Sequence, residues 1–112
     1  MSREKDLEIS FLLDFYGELL SPEKREAARL YFDEDLSLAE IAENAGVTRQ
    51  AVRDVIVRAG EQLRGYENAL GVVSERTATQ AKVEEARNLL SENKTDEAEK
   101  VLTGLLDFMQ EI

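Results

Sequence analysis

The chain has 112 residues, 43% of them hydrophobic and 34% charged, with a formal net charge of −10 and neither cysteine nor histidine. This is the composition of one soluble, globular domain with a modest core. Disulfides, thiolate or imidazole metal sites and nucleophile–imidazole pairs have no residues to form them. Carboxylate pairs such as Glu84–Glu85 and Glu97–Glu99 lie along polar helix faces and read as solvated surface. No enzyme, cofactor, catalytic residue or metal site is therefore expected. The densest apolar stretch, Ile9–Leu20, is broken by Asp14 and Glu18, too short and too charged to span a bilayer. Met1–Glu8 has no apolar segment behind it, so no signal peptide and no membrane insertion are expected, and the expected location is cytoplasmic.

Leu7, Phe11, Leu12, Phe15, Leu19 and Leu20 recur at helical spacing and predict an amphipathic helix over about residues 5–20. Ser21 followed by Pro22 is a helix start, and Ala27, Ala28, Leu30 and Tyr31 give the second helix, to about Phe32, its apolar side. Asp33-Glu34-Asp35 is a polar connection. Ser37-Leu38-Ala39-Glu40 is a capping box opening a short third helix to about Asn44, and Ala45-Gly46-Val47 is a turn that suits a left-handed glycine. Thr48 then caps a fourth helix. Its Val52, Ile56, Ala59, Leu63, Tyr66, Leu70 and Val73 alternate at spacings of four and three, a heptad stripe that packs either on the chain's own helices or against a second copy. Gly60, Gly65 and Gly71 weaken this helix, so a bend or break belongs near Gly65 or Gly71.

A fifth helix is predicted from about Thr77 to Leu90, and a sixth from a Thr95 cap to Ile112. The sixth has a wide apolar face of Ala98, Val101, Leu102, Leu105, Leu106, Phe108, Met109 and Ile112. The pair resembles one tetratricopeptide-like hairpin, but such repeats stack in about threes, and an ordinary helical hairpin is the better reading. The expected organisation is all-α, with five to six helices. Residues 1–73 form an N-terminal helix plus a DNA-binding helix-turn-helix, and residues 74–112 form a hairpin packed on it as a single compact unit.

The region Ser37–Arg58 has the parts of a helix-turn-helix. Ala42 is the small residue at the crossing and Gly46, four later, makes the turn. Val47, Val52 and Val55 lock the two helices, with Ile41 and Ala45 on the inner face. A structural αα-corner has similar needs. In a helix-turn-helix the first residues of the second helix enter the major groove. Here these are Thr48, Arg49 and Gln50, with Arg53 one turn on, while Arg58 suits phosphate. Arginine matches the two acceptors of guanine, and glutamine the acceptor–donor pair of adenine. Residues 1–35 and 65–112 each carry five bases and ten acids, whereas 36–64 carries four of each, all four bases being arginines between Arg49 and Arg64. Because lysine and arginine supply nearly all non-specific affinity, the acidic chain argues against indiscriminate nucleic-acid binding but leaves a local strip open.

Leu38-Ala39-Glu40-Ile41-Ala42-Glu43 and Val47-Thr48-Arg49-Gln50-Ala51-Val52 resemble region 4 of bacterial sigma factors. A fuller similarity, over about residues 5–73, is to the YlxM family of small bacterial proteins. It rests on Asp14-Phe15-Tyr16-Gly17-Glu18-Leu19-Leu20, Tyr31, Asp35-Leu36-Ser37-Leu38, Arg49-Gln50-Ala51-Val52, Asp54, Ile56, Arg58, Leu63, Tyr66-Glu67 and Leu70. The resemblance implies a DNA-binding regulatory protein tied, by gene neighbourhood, to the signal recognition particle pathway. Arg53 and Val57 depart from the family's usual recognition helix, so no base preference is carried over. Two functions follow as expectations: a regulator that binds double-stranded DNA, or a module that has kept the fold and contacts a protein or RNA of that pathway, including signal recognition particle components. A homodimer is expected in either case, since a two-fold pair presents two recognition helices to successive turns of the groove.

Overall fold

The computed structural model of the chain describes residues 3–111, with side chains from Leu7 onward. The described residues form α1 (Arg3–Tyr16), a 3₁₀ turn (Gly17–Leu19), α2 (Pro22–Ala28) running on into a π-helical turn (Arg29–Asp33), α3 (Leu38–Ala45), α4 (Arg49–Leu70), α5 (Val72–Ser91) and α6 (Thr95–Gln110). They divide into two compact units, Met1–Gly71 and Val72–Ile112.

The first unit is built around α4. The stripe expected on that helix is consumed here: Val52, Ile56, Ala59 and Leu63 are buried, while Leu70 is exposed. Of the two readings of this stripe, packing on the chain's own helices is the one that holds over Val52–Leu63. α1 supplies Ile9, Leu12, Leu13, Tyr16 and, just beyond it, Leu20. Leu12 and Leu20 are buried as expected, but Leu7, Phe11 and Leu19 are exposed, and Ile9, Leu13 and Tyr16 take their place. The helix is apolar on two sides. The spacing 9, 12, 13, 16, 20 keeps one face against α4, and Phe11 and Phe15 form an outer ring pair with centroids 5.8 Å apart. Tyr16 reaches across to donate to Glu67 at 2.6 Å, and Tyr66 donates to the carbonyl of Leu19 at 3.3 Å. Both bonds tie the end of α1 to the far half of α4.

α2 starts as the sequence indicates, with Ser21 Oγ accepting from the Lys24 amide and Pro22 at the first helical position. Its last turn widens. The amide of Glu34 donates to the carbonyl of Arg29, five residues back. The hydroxyl of Ser10 on α1 donates to Asp33 at the end of this turn. α4 continues through Gly60 and Gly65 and ends at Gly71, where φ is +64° and the amide donates a hydrogen bond to the carbonyl of Glu67 at 2.8 Å.

The second unit is a helical hairpin. α5 begins at Val72, earlier than the expected Thr77, directly after Gly71 closes α4, so Val73 belongs to α5 and not to the stripe of the fourth helix. Asn93, at φ +63°, ends α5, and the Lys94 amide reaches back to the carbonyl of Leu89 at 2.8 Å. That tight turn makes Lys94 the residue before α6 and Thr95 its first helical residue, so the expected Thr95 cap is replaced by a start with no side-chain cap. Among the described residues of this unit only Ala86 and Ala98 are buried. Ile112 lies outside the described residues.

Leu63 is the largest side chain with no solvent exposure. Leu63→Ala is expected to cost about 2–5 kcal/mol, read as a lowered urea midpoint of the helical signal. A midpoint within experimental error of the unmodified chain would contradict a core centred on α4.

Candidate nucleic-acid interface

Local hydrogen bonds set the α3–turn–α4 segment. Ser37 Oγ accepts from the Glu40 amide at 3.1 Å, and the Glu40 carboxylate accepts from the Ser37 amide at 3.2 Å, completing the capping box. Leu36 just before the cap and Ile41 in the next turn join the same apolar cluster, a hydrophobic staple that fixes the entry to α3. At the other end Gly46 takes φ +71°, and the Val47 amide bonds to the carbonyl of Ala42 at 3.1 Å. Thr48 is extended, and its hydroxyl accepts from the Ala51 amide at 3.0 Å to start α4.

Ile41, Ala42, Val52 and Ile56 form the buried cluster between α3 and α4, with Ala27, Leu30, Tyr31, Phe32, Leu36 and Leu38 packed around it. Ser37, Ile41, Ala42, Gly46 and Val52 thus stand where a helix-turn-helix scaffold needs them. Val55 is half-buried, and Val47 and Ala45 are exposed rather than locked inside. The cause is across the gap. α2 opposes them with Ala27 and Leu30, and the short side chains of Ala27 and Ala51 leave an open apolar groove of about 340 Å³. Ile41, Val52 and Val55 line its floor, and Glu23 and Glu26 stand on its rim. Arg29 donates to Glu26 and to Glu34 at 2.8 Å each, and its hydrogen bonds hold the Glu26 carboxyl below the usual carboxylate range.

Thr48, Arg49, Gln50, Arg53 and Arg58 are all exposed along the first half of α4. Among the described residues Arg49 and Arg58 have no acidic partner. Arg53 only approaches its neighbour Asp54 at 3.9 Å, and Arg64 approaches Glu8 at 3.9 Å. Asp54 is the residue of this surface that residue-type matching passes over. It accepts from Gln50 Nε2 at 3.0 Å, one helical turn back. The donor half of Gln50 is thereby engaged, and reading adenine with both halves of the amide requires that bond to open. The signal was present as the i, i+4 spacing of an amide and a carboxylate. Among the described residues no acidic group forms a metal-binding cluster, and no helix is long and apolar enough to cross a membrane.

A capped helix, a left-handed glycine turn and a second capped helix locked over a small alanine make this a helix-turn-helix protein. Residues 3–103 match the family model described as "Putative helix-turn-helix protein, YlxM / p13 like", and the chain belongs to that family, UPF0122. It is 44% identical over 90 residues to a UPF0122 protein of Desulforamulus reducens, covering 80% of this chain and 77% of the relative. It is 40% identical over 102 residues to one from Symbiobacterium thermophilum, covering 90% and 95%. A Clostridium kluyveri UPF0122 protein is 47% identical over 73 residues, 65% of this chain and 66% of its own length.

A Cβ built on Gly46 meets nothing within 4 Å, so any cost of filling that position is backbone strain alone. Gly46→Ala is expected to lose about 1–2 kcal/mol and Gly46→Asn distinctly less, since asparagine tolerates the left-handed region. Equal urea midpoints for the two variants would show that the turn does not depend on this φ.

Proposed function

We propose that the chain is a DNA-binding regulatory protein that sets the start of α4 in the major groove. The observation that carries this reading is Arg49, exposed and without an acidic partner in the first turn of a threonine-capped helix, with Arg53 one turn on. Both lie in the charge-balanced middle of an otherwise acidic chain. Thr48, Arg49, Gln50 and Arg53 reach base edges in this reading, and Arg58, further along the helix, meets phosphate. The Gln50–Asp54 bond then opens on the target, exchanging Asp54 for a base edge.

A second reading is a protein- or RNA-interaction module that keeps the fold without reading DNA. The groove between Ala27, Leu30, Val47 and Ala51 favours it, as does the carboxylate of Asp54 among the arginines. Signal recognition particle components are the partners to try first, on the strength of the family resemblance.

The two readings separate in a fluorescence-anisotropy titration against a site selected from a random library and a scrambled control, at several salt concentrations. About three or four neutralised phosphates give a log–log salt slope of about −3 to −4. Arg49→Ala is expected to cost about 1–3 kcal/mol and to relax preference at one base pair. Arg58→Ala weakens all sequences alike and flattens the slope by about one. If selection enriches no sequence and both variants bind like the unmodified chain, the DNA reading fails and the interaction module replaces it.

A further inference from the structure

The α5–α6 hairpin repeats one pattern on its two helices. Ala86-Arg87 is followed by Leu90, and Ala98-Glu99 by Leu102. Ala86 and Ala98 are the buried residues of two helices that pack together, so each marks where its helix faces the other. A residue four positions on is rotated by about 40° and the next residue by about 100° from that contact. In two antiparallel helices, equal rotations of the same hand bring side chains to the same side of the hairpin. Leu90 and Leu102 therefore share one broad face. Val83, seven residues before Leu90, and Leu106 and Met109, four and seven after Leu102, extend it.

All five are 43–56% exposed. Leaving them in water forgoes the burial of a large apolar area, and among the described residues this unit has no large buried side chain of its own. Arg87 lies on the outer α5 edge of this face and Glu99 on the outer α6 edge. Each is four residues from its helix's turn end, Ser91 for Arg87 and Thr95 for Glu99, so they stand at one level. Neither has a salt-bridge partner among the described residues, unlike Lys82, which pairs with Glu85 at 3.5 Å.

We propose that this face is covered by the same face of a second copy, making a four-helix bundle about a two-fold axis parallel to the helices. That axis lays α5 on α6 of the second copy and keeps every residue at its own level. Arg87 then meets Glu99 of the second copy, and Glu99 meets its Arg87, one pair on each edge. An axis running across the helices would carry these charges to opposite ends and leave all four unpaired. The apolar face and the edge charges together select a second copy as the occupant. The pairing uses none of the arginines on α4 and is independent of the DNA reading.

The experiment is sedimentation equilibrium of the full chain across the micromolar range. A mass of twice 12.6 kDa is expected, and a monomer at tens of micromolar overturns the proposal. Leu102→Asp is expected to give monomers, and an undiminished dimer overturns it. Because that variant also burdens the hairpin itself, charge reversal supplies the second arm. Arg87→Glu and Glu99→Arg are each expected to raise the dissociation constant by roughly fivefold or more, and the double variant to return it towards the original value. A dimer in which the double variant is as weak as the two singles combined overturns this pairing of the faces.

Discussion

The contact of Ile41 and Ala42 on α3 with Val52 and Ile56 on α4 governs where the start of α4 points, and it does so without any directional bond. Among the described residues no polar or charged side chain is buried, so the angle between the two helices comes from shape: a small residue at the crossing, branched side chains on either side, and a turn of fixed backbone geometry. The caps on Ser37 and Thr48 say where each helix begins, and the apolar cluster says how they cross. α4 is also the spine of the first unit, with its lower stripe under α1 and its far end bonded by Tyr16 and Tyr66. One rigid helix therefore carries both the core and the exposed arginines. Damage to the core displaces the candidate surface without touching any residue on it.

What could be read from the chain alone divides along the same line. The starts of α2, α3 and α4 were legible because capping is local chemistry: serine or threonine, the right residue three positions on, and proline where an amide is not needed. The face of α1 was not, because Phe11, Phe15 and Leu19 make a second apolar stripe as good as the one that α4 covers. The start of α5 was not legible because Val73 continues the heptad stripe of α4, and only the left-handed turn at Gly71 separates the two helices. Ala45 and Val47 were read as inner residues from their motif positions. Their exposure depends on the size of Ala27, which sits on another helix, and no local pattern carries that information. For the candidate site, the exposed positions of the arginines followed from helical spacing. The hold of Asp54 on Gln50 depends on which of several i, i+4 partners a side chain takes.

The distribution of charge shapes how such a surface works. Both acidic ends repel polyanions, and the arginines act over a distance comparable to the screening length at physiological salt, roughly 8 Å. In the proposed DNA reading, binding depends on close shape fit at the start of α4 more than on long-range attraction.

The widened turn at Arg29–Asp33 carries a lesson about ancestry of form. A π-helical turn is what a helix looks like when it has taken in one residue more than its regular winding holds and kept its bonds by closing a larger ring. Leu30, Tyr31 and Phe32 follow one another directly, and all three pack on the helix-turn-helix cluster. A regular helix fans three consecutive side chains over more than half its circumference, so the slack ring is the means by which one short segment presents them all. In that sense the bulge is a change of gear. It re-phases the chain between α2 and α3, and the mesh between the N-terminal helices and the motif depends on that extra tooth.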